Sequence, residues 1–116
     1  MKRVHEGRRI YLSGPITDNP KYRDQFGGAA KELRRQGALV MNPAVLPGWV
    51  AWEEAMSIGY AMLESCDTIF MLSGWKESKG ARLERKWALQ KGMDIIYARE
   101  ARRGRGNYEK GYLEEA

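Results

Sequence analysis

With one cysteine, Cys66, the chain has no internal disulfide available to brace it, and with one histidine, His5, it offers no metal-ligand cluster. No apolar run approaches the roughly 20 residues of a membrane span, and no secretory n/h-region opens the sequence. Internal repeats and low-complexity blocks are also missing. These gaps exclude a disulfide scaffold, a metal centre and a helical membrane anchor. The expectation is a soluble cytoplasmic protein with no membrane partner and no cofactor. Cys66 borders a strand pattern, where a buried inert thiol is expected.

What is present fits one domain spanning 1–116, with 1–8 and about 99–116 as flexible or peripheral segments. A chain of 116 residues buries about two-thirds of its exposable surface, enough for a core without cross-links. The net charge of +5 is concentrated in Lys2, Arg3, Arg8, Arg9 and the stretch from Arg99 to Arg105. Neither aromatic interleaving nor a nucleic-acid motif accompanies that stretch, so it reads as a solvated connector and not as a nucleic-acid contact.

Short apolar runs alternate with helical patterns. Arg9 to Ser13 reads as a strand stopped by Gly14-Pro15, and a helix from Tyr22 carries Phe26, Ala29, Ala30 and Leu33 on one face until Gly37. Ala38 to Met41 is a second strand, and Val50 to Glu64 a second helix through Trp52, Met56, Tyr60 and Leu63. Thr68 to Leu72 is an unbroken apolar run, the pattern of a strand covered on both faces. A third helix over Gly80 to Lys91 and a fourth strand over Asp94 to Ala98 complete the order, with a short helix expected near Tyr108 to Glu115. Strands joined by helices imply crossovers and a mostly parallel, Rossmann-like doubly wound α/β sheet of about four to five strands, with helices on both faces. Such sheets bind ligands beyond the carboxyl ends of their strands, where strand order reverses. In a 2-1-3-4 order that point lies between the loop Ser13 to Ile16 and the loop Ser73 to Gly80.

Those loops frame the candidate chemistry. Ser78 is placed to cap the third helix, whose free N–H groups suit a ligand hydroxyl or anionic oxygen, and Gly80 leaves room for close approach. Glu84 has Gly80, Ala81, Trp87 and Ala88 at helical spacing, so it lies on the packing side, away from Arg82, Arg85 and Lys86. A carboxylate there needs donors from elsewhere or a functional reason. Its helix N-terminus is expected to favour the ionised form, which suits a nucleophile. Tyr11, on the first strand, is placed to hydrogen-bond a carboxylate.

The ordered series Ile10-Tyr11-Leu12-Ser13-Gly14-Pro15-Ile16, Asn42-Pro43, Cys66-Asp67 through Ser73-Gly74-Trp75, and Ser78-x-Gly80-Ala81-x-x-Glu84 resembles the nucleoside 2-deoxyribosyltransferase-like superfamily. It is most similar to the short phage and bacterial members of uncharacterised function. The resemblance runs from about Ile10 to Tyr97. It implies cleavage or transfer at the N-glycosidic bond of a 2′-deoxynucleoside or its monophosphate. Glu84 would attack C1′, Tyr11 would orient it, Ser78 and Gly80 would contact the sugar or its 5′ group, and Gly14, Pro15 and Ile16 would line the pocket. It also implies a homo-oligomer, dimer or larger, with Asn107 and Tyr108 as donors to a neighbour's site. Two departures stand out. Gly59 replaces the aspartate that helps protonate the leaving base, so Glu53 or Glu54 substitutes, the base leaves readily by itself, or activity is lost. Pro15 and Thr17 replace the serine and arginine of the monophosphate-hydrolysing branch. A non-catalytic nucleotide-binding module is the alternative reading.

Overall fold

The computed structural model describes residues 3–99 together with the backbone of residues 113–115. Four parallel strands form the sheet: β1 (Arg9–Ser13), β2 (Leu39–Met41), β3 (Thr68–Met71) and β4 (Asp94–Ala98). Three helices connect them: α1 (Tyr22–Arg35), α2 (Trp52–Glu64) and α3 (Lys79–Gln90). A short strand β5 (Leu113–Glu115) adds antiparallel to β4, giving the order β2-β1-β3-β4-β5. The expected 2-1-3-4 core is therefore present. Of the expected terminal helix, residues 113–115 are instead a strand paired with β4, while 108–112, with Asn107 and most of the basic stretch, lie outside the described residues.

Alternation along the strands divides the interior in two. Ile10, Leu12, Phe70, Leu72, Ile96 and Ala98 face α1 and pack on Phe26, Ala29, Ala30 and Leu33. Tyr11, Ile69, Met71 and Ile95 point the other way, toward Leu63 of α2 and Ala81 and Ala88 of α3. Central β3 is buried along its whole length, as its unbroken apolar run requires. Helix α2 begins two residues later than its apolar pattern suggests. Val50 closes a turn onto the Pro47 carbonyl, and Ala51 is extended at φ −64°, ψ 150°.

Candidate active site

Two residues apart on β1, Tyr11 and Ser13 share one face of the strand and both are fully buried. Helix α3 crosses that face with Glu84 turned inward and 7 % exposed. Tyr11 donates its hydroxyl hydrogen bond to Glu84 Oε2 at 2.6 Å, and Ser13 Oγ donates to Oε1 at 2.6 Å. No cation pairs with this carboxylate among the described residues. Burial pushes the Glu84 carboxyl up to about 7, while the bonds from Ser13 and Tyr11 pull it down. Desolvation wins, which reverses the direction expected from the helix N-terminus. Glu84 is well past the first turn, where the dipole is effective. Burial, followed by the Glu84 charge and hydrogen bond, raises the Tyr11 phenol well above its ordinary value, so Tyr11 remains a donor.

Gly59 of α2 completes this arrangement. A Cβ there would lie 2.7 Å from Tyr11 Oη and 3.0 Å from Glu84 Oε2. Any side chain at residue 59 would displace the hydrogen-bonded pair, so this close approach of the helix suits glycine. Glu53 and Glu54, considered as replacement acids, are exposed on α2 and absent from the cavity lining. The first turn of a helix whose inner face is already apolar leaves them facing water.

Glu84 and Tyr11 form part of the wall of a cavity of about 900 Å³ at the carboxyl ends of β1 and β3. Gly14, Pro15, Ile16, Ser78 and Gly80 line it too, so the structure brings the expected pocket residues to one space with Tyr11 and Glu84, while Glu53 and Glu54 stay outside it. Ser78 Oγ accepts from Ala81 N at 3.1 Å as the α3 cap. Gly80 also serves helix contact, since a Cβ there would meet Met56 Sδ at 3.1 Å. The two loops are tied together: Asn19 Nδ2 donates to the Pro15 carbonyl and to Gln25 Oε1, and Gln25 Nε2 donates to the Ser73 carbonyl. Trp52 is in the wall, with Lys79 Nζ 4.8 Å from its ring centroid. Trp75 instead packs on Tyr97 at 5.6 Å beneath Arg85.

Ser13 was missed as a partner of Glu84, and its signal was present: it follows Tyr11 by two residues on the same strand. The walls formed by Tyr22, Phe26 and Met56 were read only as helix-packing positions. Among the described residues no group of three or more His, Cys, Asp or Glu side chains could hold a metal. No described helix is long and apolar enough to cross a membrane. Cys66 is buried, and burial raises its thiol.

Residues 8–97 match the family described as Domain of unknown function (DUF4406), and the chain belongs to that family. No functionally curated protein is significantly similar to it. Among solved structures, the chain is similar to the CMP N-glycosidase BcmB of Clostridium botulinum, at 20 % identity and a TM-score of 0.58. That likeness covers 78 % of this chain and 70 % of the other, and it establishes a common α/β fold.

Proposed function

We propose that this family member cleaves, or transfers the sugar from, the N-glycosidic bond of a 2′-deoxynucleoside or its monophosphate, with Glu84 as nucleophile. One observation carries the reading: a buried carboxylate with no cation beside it among the described residues, held by two hydroxyl donors, opens onto a cavity of about 900 Å³. That volume suits a nucleotide-sized ligand. A carboxylate so placed stabilises positive charge developing at C1′ and then bonds to it, as in retaining glycosidases. Tyr11 and Ser13 fix its orientation and leave lone pairs free for attack. The shared fold with a CMP N-glycosidase, and the sequence resemblance to deoxyribosyltransferase-like proteins, support the same chemistry.

The carboxyl must be ionised to attack, so the rate rises with pH through about 7. The test is incubation with a panel of nucleosides, deoxynucleosides and their monophosphates, with and without a second base, followed by chromatography of free or exchanged base. Base release that Glu84→Gln abolishes is expected. Tight binding without release from any member supports instead a non-catalytic binding module, the alternative that Gly59 motivates.

A further inference from the structure

A base leaving C1′ with an extra electron pair needs a proton, unless it began with a positive charge. Around Glu84 the position for such a donor is closed. Gly59 is the α2 residue that faces the Tyr11–Glu84 pair, and at 2.7 and 3.0 Å a side chain there would have to push that pair aside. Elsewhere α2 presents Trp52, Ala55 and Met56 to the cavity, none an acid, while Glu53 and Glu54 face water. The Tyr11 hydroxyl already donates to Glu84. The remaining lining carboxylates, Asp18 and Glu77, are exposed to solvent. With Glu84 they give the lining three acidic side chains against two basic ones, Arg23 and Lys79, a balance that tolerates a cation.

We propose, resting on the reading above, that the substrate of this site is an N-glycoside whose base is already cationic, such as a pyridinium or an N7-alkylated purine. A Glu84 oxygen bonds to C1′ as the C1′–N bond breaks, and its electron pair neutralises the ring nitrogen, so the base departs intact without a proton. Water then bonds to C1′, the ester electron pair returns to Glu84, and the water's proton passes to solvent. Where no buried carboxylic acid besides Glu84 lines the site among the described residues, a neutral base forfeits the 10²–10⁴-fold that general acid catalysis supplies.

The test compares kcat/KM for nicotinamide mononucleotide and 7-methylguanosine 5′-monophosphate with cytidine and guanosine 5′-monophosphates, all four in ribo and 2′-deoxy forms, each across pH 5–9. The cationic substrates are expected to react at least about 100-fold faster than the neutral ones. The profile of nicotinamide mononucleotide, whose pyridinium keeps its charge across this range, should rise through about 7 and stay level above it. Comparable rates on neutral bases, or a falling alkaline limb with nicotinamide mononucleotide that marks an essential acid, would overturn the proposal. Release from neutral substrates alone overturns it but leaves the N-glycosidic reading intact; release from none overturns both.

Discussion

The two faces of the sheet are built from the same strands and obey different rules. On the α1 side, Ile10 and Leu12 of β1 join Phe26, Leu33 and Phe70 in an apolar cluster where side chains are matched by shape. On the α2–α3 side, the intervening residues Tyr11 and Ser13 hold a buried carboxylate that lowers stability whenever it is charged. One face exists to be stable, and the other retains a destabilising group. A buried charge with two donors and no cation among the described residues is the arrangement expected where chemistry, not folding, decides the residue.

Glu84→Gln separates the faces most sharply. Activity on any substrate of the wild-type chain should fall at least about 10³-fold. Stability should move the other way. With its folded pKa raised to about 7 from 4.5, Glu84 binds its proton more tightly in the folded state. Its contribution is full below about 4.5 and is lost as pH rises through about 7, roughly 3 kcal/mol in all. Denaturant titrations should therefore show the Gln variant as stable as wild type at pH 4 and more stable at pH 8. A wild-type advantage at pH 8 would contradict the comparison.

Leu33→Ala, on the apolar face, is expected to cost about 2–5 kcal/mol of unfolding free energy while leaving kcat unchanged at temperatures where the variant is folded. Gly59→Ala should do the reverse. Its Cβ displaces Tyr11 Oη and Glu84 Oε2, and steady-state kinetics should record a loss of about 10²-fold from misplacement of the nucleophile. Unaltered kinetics would mean that the pair adjusts freely. Tyr11→Phe and Ser13→Ala each remove one donor, with an expected loss of about tenfold. Because both bonds lower the Glu84 pKa, the midpoint of the pH–rate profile should rise in either variant, more for Ser13.

Local pattern foretold one face better than the other. The apolar periods of α1 and the uninterrupted run of β3 mark which faces are buried, since the spacing of apolar residues along an element is a local signal. The inward turn of Glu84 was readable for the same reason, from Gly80, Ala81, Trp87 and Ala88 around it. What Glu84 meets was not, because Tyr11 and Ser13 are 73 and 71 residues away and only the sheet order brings them together. Gly59 looked like a missing acid, whereas in the fold its bare Cα is what admits the Tyr11–Glu84 pair. The ionisation of Glu84 was misread because helix position is local and desolvation is not. Residues 113–115 form a strand for a similar reason: β4 offers them an open edge, which overrides a weak helical pattern.

The central claim is that Glu84 bonds to the sugar. It is tested most directly by incubating the protein with a 2′-fluoroarabino nucleoside carrying whichever base is released fastest, since fluorine at C2′ disfavours positive charge at C1′ and slows hydrolysis of the ester. Mass spectrometry should then find the protein heavier by the fluorosugar, with the added mass on the peptide that contains Glu84 and absent from Glu84→Gln. A fluorosugar attached to another residue, or its turnover with no adduct at any time, would contradict the account.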